Sequence, residues 1–560
     1  MGVDFAAAPV AQRHRRWYER TGPSVVALIS VLLLALLATD TMGFLSTDVG
    51  GKLATLEAMH RNGTLSPDLG YWAESADPDG SLYPMWSTTN VDGGWVNVTT
   101  LPMLLLALPL YSVGGAFAAG LIPLLGTVAA ALGARALARQ LGDDGVVVFW
   151  IVGVASPLTV YALDFWEHSL GVALVVWAVV GVLGASRTDG SWTSALLAGL
   201  AFGLAAAMRQ EALIYGFVAG CALGVRLLLG GRPVAMLLRG GALTGGFALT
   251  WMANAAIEAT LIGDATRSAR STGTALAAGS DVGVRVEEAI ITLASAFSRT
   301  DPTFLVIAGL TVGVLIELGR RIDRPEPLRP MALAGGLIGG LLALDILAGG
   351  LGFVPGLAAS TPVAALGVTR IWRNPDHRLI GAIAVGSLPL IFAVQYTGGA
   401  LPQWGGRYLL PTGTLLIVLS VVVLDSDEGR RIVRQVAGLG LAVTLIGVGW
   451  TIERSHSFAD ASRALADRDE PVLVFADSFL SREAGALVLD EQWLAAVGES
   501  GREEAADVLA DLGIEEIGFV QHDRGQDPLV LPGWDVVHIE RIPLVSGLDL
   551  QVSTQVPLDR

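Results

Sequence analysis

The stretch STDVGGKLATLEAMH, residues 46–60, follows the first apolar run of the chain and opens its longest polar segment. It starts close to an acid, Asp48, and continues with apolar residues at helical spacing, which predicts a short helix with a carboxylate in its first turn. Because the preceding run (residues 25–38) is predicted to cross a membrane, Asp48 is expected at a membrane surface. The alternative role for Asp48 is to cap the helix by accepting hydrogen bonds from its first backbone N–H groups.

The composition indicates that lipid is the solvent for most of the chain. Of its 560 residues, 52% are hydrophobic and 16% are charged, and the mean hydropathy is +0.58. These values exclude an ordinary soluble protein and predict a polytopic, all-α membrane domain. Cys221 is the only cysteine, so no disulfide within the chain supports the fold.

Negative charge is concentrated at the C-terminal end. Residues 451–560 hold 22 Asp and Glu against 8 Arg, which accounts for −14 of the formal net charge of −16. We therefore predict a separate, acidic, water-facing domain over residues 452–560. Such a charge repels nucleic acid and anionic headgroups, so neither is an expected partner of this domain.

Charge also predicts how the chain crosses the membrane. Arginines within residues 13–20 precede the first run, so residues 1–24 are expected in the cytoplasm and the first loop (residues 45–101) outside. A cleaved signal peptide is the alternative reading of this N-terminus. About 13 spans are predicted within residues 25–451, from the apolar runs at residues 25–38, 116–136, 146–163, 170–185, 195–207, 212–229, 243–262, 304–318, 331–347, 351–368, 379–396, 408–424 and 436–450.

The odd number of spans places the C-terminal domain outside, on the same side as Asp48, in a multi-pass protein of the plasma membrane. Residues 101–111 are apolar but short and interrupted by proline, which predicts a helix lying at the interface. In the C-terminal domain, strands are predicted at residues 471–476, 514–520 and 534–539 and a helix at residues 502–512. This pattern is typical of a small α/β unit, for which we predict a lid or acceptor-docking role.

Charged residues gather at the predicted outer ends of the spans. Since a charge near the bilayer is costly, each such group is a candidate for function. Asp92 lies among tryptophans in the first loop and is a further candidate. The clusters are Asp48; Asp164, Glu167 and His168 in DFWEHS; Arg209 and Glu211 in MRQEA; and Arg407 with Tyr408 in QWGGRYLLP.

These residue types favour group transfer from a lipid phosphate. A carboxylate can take the proton of an attacking hydroxyl, and arginines can hold a phosphate through paired charged hydrogen bonds. Asp164, Glu167 and His168 offer the alternative of binding a divalent cation, Mg²⁺ or Mn²⁺, together with Asp48. The local alternatives are interfacial anchoring for DFWEH and for Arg407 with Tyr408, and mutual pairing for Arg209 and Glu211.

The order of several motifs resembles the GT-C superfamily of integral membrane glycosyltransferases. The motifs are TDVGGKLATLEAMHRNG after the first span, a Pro-led interfacial helix before a small-residue span, ASPLTVYALDFWEH, MRQEALI and GGRYLLPTGTLL. They are similar to the branch of protein O-mannosyltransferases and aminoarabinose transferases. The resemblance covers most of residues 20–450.

The resemblance implies inverting transfer of a sugar from a polyprenyl-phosphate donor to an extracytoplasmic acceptor, which is a protein, a lipid or a glycan. It implies that Asp48 is the catalytic base and that Arg407 contacts the donor phosphate or the adjacent helix. The family's first-loop Asp-Glu pair is here Asp48-Val49, which leaves the second acid open between Asp92, Asp164 and Glu167. The alternative functions are a transporter or flippase and a polymerase or ligase of lipid-linked glycans.

Overall fold

A computed structural model describes residues 10–43, 47–263, 282–294, 302–322, 335, 355–394, 404–543 and 549–558. The predicted span at residues 331–347 and the start of the one at 351–368 lie outside the described residues, apart from residue 335. The described α-helices are Val10–Leu37, Thr47–Asn62, Leu101–Gln140, Val146–Val154, Leu158–Tyr161, His168–Ser186, Trp192–Met208, Glu211–Leu229, Pro233–Ile262, Val282–Ala294, Pro302–Arg321, Leu357–Ser360, Val363–Leu366, Pro375–Val394, Leu410–Val423, Asp427–Ala466, Ser478–Glu483 and Gly498–Asp511.

Several described helices are long and apolar enough to cross a membrane, which confirms the prediction of a mostly helical membrane protein. Three shorter apolar helices accompany them, at Thr21–Leu37, Trp192–Met208 and Arg407–Val423. The total of about 13 spans stays a prediction. The long helices are Leu101–Gln140, His168–Ser186, Glu211–Leu229, Pro375–Val394 and Asp427–Ala466.

Two predicted spans are broken by proline. Within residues 146–163 the helix ends at Val154 and a second short helix begins at Leu158, with Pro157 between them. Pro157 has no backbone N–H to continue the ladder, and Ser156 Oγ accepts a hydrogen bond of 3.3 Å from Leu158 N instead. The described part of residues 351–368 likewise holds only two four-residue helices, separated at Pro362. The prediction of continuous spans here is wrong, because average hydropathy does not register such breaks.

The predicted interfacial helix and the span after it form one bent helix, Leu101–Gln140. Its bend lies at Gly114 and Gly115, where the backbone leaves helical geometry. Gly115 has a φ of 60°, a conformation that glycine adopts without strain. The sequence therefore placed the break correctly, between residues 111 and 116.

The first loop contains a helix, Thr47–Asn62, and a hairpin of two strands, β1 (Thr88–Val91) and β2 (Gly94–Asn97). Trp95 is 1% exposed and packs between aromatic rings, with Tyr83 stacked on it at 5.0 Å. The loop is therefore a folded platform beside the membrane helices. We call Thr47–Asn62 the loop helix.

The C-terminal unit, from residue 467 onward, is built on a mixed five-stranded sheet. Its strands are β3 (Leu473–Phe475), β4 (Trp493–Ala495), β5 (Ile517–His522), β6 (Trp534–Ile542) and β7 (Leu550–Pro557). The order across the sheet is β4-β3-β5-β7-β6, with β3 parallel to both of its neighbours. The predicted small α/β unit is confirmed, and β4 and β7 are additions that the sequence did not reveal.

The C-terminal unit packs directly on the first loop. Trp72 Nε1 donates a hydrogen bond of 2.9 Å to Trp493 O, and Ala495 N donates one of 2.8 Å to Leu82 O. Leu82 and Ala73 of the loop also belong to the apolar core under the sheet. Because they share a core, the first loop and the C-terminal unit lie on the same side of the membrane.

A single 40-residue helix, Asp427–Ala466, contains the last predicted span and continues into this unit. Ser426 caps its N-terminus by accepting a hydrogen bond of 3.1 Å from Gly429 N. Its other end packs against β3 through Ala461 and Leu465. The predicted domain boundary at residue 451 thus falls inside a continuous helix, and the C-terminal unit is held at the end of that helix.

Candidate active site

Asp48 lies in the first turn of the loop helix, where two arginines distant in sequence meet it. Arg482 Nη1 donates to Asp48 Oδ1 at 3.3 Å, and Arg407 Nη1 lies 3.7 Å from Asp48 Oδ2. The Asp48 side chain is 38% exposed, whereas that of Arg482 is 1% exposed. A half-open carboxylate held by cations can therefore face a substrate.

The charges around Asp48 decide its ionisation. Burial by itself would raise its pKa, but the positive charges of Arg482, Arg407 and Lys52 outweigh that effect and lower the pKa below its ordinary value. Glu167 acts in the opposite direction with a smaller effect. Asp48 is consequently ionised, and able to accept a proton, at neutral pH.

Two glycines let Arg482 approach the loop helix so closely. A Cβ built on Gly50 would overlap the backbone oxygen of Arg482, and one built on Gly51 would lie 2.8 Å from Arg482 Nε. Arg482 Nη2 in turn donates a hydrogen bond of 2.9 Å to Asn97 Oδ1 at the end of β2. The pair Gly50-Gly51 after Asp48 thus makes room for the C-terminal unit.

We expect Gly50→Ala to loosen this contact, because a backbone oxygen cannot move aside as a flexible side chain can. The cost of overpacking is about 1–3 kcal/mol. Thermal unfolding and limited proteolysis of the C-terminal unit would measure it. Gly224→Ala is the control, since a Cβ at Gly224 meets nothing within 4 Å; equal behaviour of the two variants would contradict the prediction.

A second cluster of charges is fully buried beside Asp48. Glu167 accepts hydrogen bonds from Lys52 Nζ and, at 3.1 Å, from Arg209 Nη1. Arg209 Nε also donates to Glu211 Oε1 at 2.8 Å. Lys52 is 3% exposed and Glu167 2% exposed, so the carboxylates balance cations that water does not reach. This network joins the loop helix to three membrane segments.

Arg407 and Tyr408 form the turn before the helix Leu410–Val423. Arg407 Nη2 donates to the Tyr408 hydroxyl at 2.9 Å, and the Arg209 guanidinium lies 5.5 Å from the centre of the same ring. Gly406, before the turn, has a φ of 64°. Arg407 Nε is buried and has no hydrogen-bond partner among the residues that the structure describes.

A small cavity lies next to these arginines. His168 opens onto it at the start of the helix His168–Ser186 and is 2% exposed. Neither ring nitrogen of His168 has a hydrogen-bond partner within the described ranges. The cavity therefore combines cationic and unpartnered polar atoms with an apolar wall; its lining is His168, Gly171, Val172, Val175, Arg209, Glu211, Ala212, Arg407, Leu410 and Pro411.

The geometry does not suit the predicted cation site at Asp164, Glu167 and His168. Both oxygens of Glu167 face cations, and Asp164 Oδ1 accepts a hydrogen bond of 2.9 Å from Phe165 N. In the part of the chain that is described, no three His, Cys, Asp or Glu residues are grouped as metal ligands.

Most of the predicted site residues come together, but Asp92 does not. It lies at the exposed turn of the β1–β2 hairpin with a φ of 53°, and its carboxylate faces Gly263. Glu167, by contrast, is at the centre of the buried network. Of the three residues considered as the missing second acid, Glu167 contacts the loop helix through Lys52.

Two charged residues of the site are not among those predicted from the sequence. Lys52 lies one helical turn after Asp48 and is the only lysine among 36 basic residues, which is a signal that points to a special role. Arg482 lies in the unremarkable segment SFLSRE of the C-terminal unit, where no local pattern distinguishes it. Only the tertiary contact identifies it.

No protein-family model matches this chain, and no curated protein matches it in sequence. Similar structures exist. The structure of ArnT from Cupriavidus metallidurans bound to undecaprenyl phosphate has 12% identity and a TM-score of 0.55, over 96% of this chain and 98% of that one. The archaeal oligosaccharyltransferase AglB from Archaeoglobus fulgidus, in complex with an inhibitory peptide and a dolichol-phosphate, has 12% identity and a TM-score of 0.49, over 90% and 70%.

ArnT is a GT-C glycosyltransferase, and the likeness to it extends over nearly the whole of both chains. It includes the membrane helices and the C-terminal unit. At this level of identity the likeness concerns the fold. The chain described here has the GT-C fold.

Proposed function

We propose that this protein is a membrane glycosyltransferase that moves a sugar from a polyprenyl-phosphate-linked donor to a hydroxyl acceptor, with Asp48 as the general base. The observation that carries the proposal is the meeting of Asp48 and Arg407, with 3.7 Å between their charged atoms, beside the cavity that Arg209 and His168 also line. A base, a phosphate-binding cation and an apolar wall are thus adjacent.

Arg407 is the best placed residue to bind the donor phosphate. Its Nη1 is too far from Asp48 for a normal hydrogen bond, and its Nε has no partner in the described structure. Arg209 already gives two of its nitrogens to carboxylates. A phosphate can therefore engage Arg407 without breaking a strong ion pair, and His168 is free to donate a further hydrogen bond.

The apolar lining would receive the first part of the lipid chain. In the proposed reaction, the acceptor oxygen attacks C1 of the sugar while the Asp48 carboxylate takes its proton. The bond between C1 and the phosphate oxygen breaks, and the polyprenyl phosphate leaves with that electron pair. Arg407 stabilises the growing charge on the phosphate. Attack opposite the leaving group inverts the configuration at C1.

A transporter or flippase of lipid-linked substrates is the alternative from another class. It would use the arginines for the phosphate but would have no need of a proton acceptor. The candidate groups all lie at or next to helix ends, and two of them, Glu167 and Arg407, contact Lys52 and Asp48 of the first loop. This arrangement favours chemistry at the membrane surface over passage through the bilayer.

Arg407→Ala is expected to weaken binding of a polyprenyl-phosphate sugar more than it slows turnover of the bound donor. Charge-assisted hydrogen bonds contribute about 1.5–3 kcal/mol each, so the Kd for the donor should rise about 10- to 100-fold. Titration of the purified protein with donor in detergent would measure this.

Arg226→Ala is the matched control, because Arg226 lies in the last turn of the helix Glu211–Leu229, at the end far from Glu211, and pairs with Asp376. Its donor affinity should match that of the wild type. An Arg407→Ala variant with unchanged donor affinity would remove Arg407 from the phosphate site.

A further inference from the structure

Among the residues that the structure describes, Arg482 is the contact to Asp48 that comes from outside the membrane domain and the first loop. It belongs to the short helix Ser478–Glu483 of the C-terminal unit. Its guanidinium binds Asp48 and Asn97 and lies 5.4 Å from the ring centre of Trp86. A charged side chain with 1% exposure is costly to bury, so a residue in this position needs its partners.

We propose that Arg482 is a positioning residue for sugar transfer, which holds Asp48 oriented and ionised, so that the active site is complete only with the C-terminal unit docked on the first loop. The proposal rests on the function proposed above for Asp48. On this proposal, the C-terminal unit is part of the active site and does more than act as a lid over it.

Hydrogen bonds between the first loop and the C-terminal unit hold the segment that carries Arg482. Trp86 N donates to Ser478 O at 3.1 Å, and Ser481 Oγ donates to Pro84 O. These two hydrogen bonds, and the close contact between Gly50 and the Arg482 backbone, hold the segment that carries the guanidinium. The backbone of Arg482 is therefore held in place by the first loop and the loop helix, and this directs its side chain toward Asp48.

The distribution of charge explains why Asp48 requires this third cation. The charged groups that face Asp48 are Arg482, Arg407, Lys52 and Glu167. Lys52 is neutralised by Glu167, and Arg407 is the residue that the donor phosphate would engage. Once donor is bound, Arg482 is the cation that remains paired with Asp48. Removing it raises the pKa of Asp48, because an opposite charge at this range lowers a carboxyl pKa by about 1–3 units.

The test uses the full chain in detergent and compares Arg482→Gln and Arg482→Lys with the wild type. The rate of transfer at saturating donor is measured between about pH 3 and pH 8, a range that extends below the ordinary pKa of an aspartate. We expect Arg482→Gln to lower kcat at least about tenfold at pH 7 and to move the acid limb of the profile upward by about one unit. Arg482→Lys should restore part of the rate and the wild-type limb. Arg61→Gln is the control, since it removes an exposed ion pair with Asp490 at the same interface.

A double-mutant cycle between Asp48→Ala and Arg482→Gln, read by thermal unfolding, tests the contact without any assay of activity. Additive effects on stability would overturn the proposal, and so would a lowered rate with an unmoved pH profile or a control variant that behaves like Arg482→Gln. A wild type that transfers no sugar from polyprenyl-phosphate donors, but shows coupling in the cycle, would instead overturn the proposed function and leave the contact established.

Discussion

Asp48→Asn is expected to lower the rate of sugar transfer by about 10²–10⁴-fold, which is the usual contribution of a general base. Asparagine keeps the shape of the side chain and its contact with Arg482 but cannot take the proton of the acceptor hydroxyl. The rate of product formation from a polyprenyl-phosphate sugar, at saturating donor and acceptor, is the measurement. Donor affinity should change little, because Arg407 is the residue proposed to bind the phosphate.

Asp40→Asn provides a matched control for this substitution. Asp40 lies at the same end of the membrane domain and pairs with Arg463, but it has no contact with the cavity in the described structure. It should transfer sugar at the wild-type rate. Full turnover by Asp48→Asn would exclude Asp48 as the base; a transporter would predict that result, because movement of a lipid phosphate does not need a proton acceptor.

The largest effect on stability is expected for Glu167→Gln. This change leaves Lys52 and Arg209 buried without the carboxylate that both contact, and removing one member of a buried ionic network typically costs about 3–5 kcal/mol. Thermal unfolding in detergent, at a pH where the wild type is stable, is the measurement. The prediction concerns folding, so it holds whatever the protein transfers.

Asp490→Asn is the comparison for this prediction. It removes one partner of an ion pair with Arg61 whose side chains are 48% and 42% exposed, and such pairs contribute less than about 1 kcal/mol. A Glu167→Gln variant as stable as Asp490→Asn would show that water reaches the network. In that case the dry, low-dielectric site that the proposed chemistry uses would not exist.

The proximity of Asp48 and Arg407, which are 359 positions apart, could be predicted because the free-energy cost of burying charge in lipid limits where charged residues can lie. Charged residues at the ends of apolar runs must gather at the membrane surface. Once it is known which end of each run lies at the outer surface, a shared site can be predicted. The same reasoning placed Glu167, His168 and Arg209 near Asp48, and the structure brings all of these into one neighbourhood.

Partners within that neighbourhood could not be predicted from sequence. Which carboxylate faces which cation depends on the rotation of each helix and on breaks such as that at Pro157. Glu167 was considered as a metal ligand, whereas it balances Lys52 and Arg209. Arg482 could not be predicted because its role arises from packing between the C-terminal unit and Gly50, and one arginine in an acidic domain carries no distinguishing pattern.

The separation of Asp48 from Arg482 also bears on the biosynthesis of the protein. The two residues are 434 positions apart, so Asp48 leaves the ribosome long before its partner is translated. Domains generally fold as units during synthesis, N-terminal parts first. The membrane helices and the first loop are therefore inserted while Asp48 still lacks this ion pair. Catalytic competence, on the proposal made here, arrives as one of the last events in the maturation of the newly made chain.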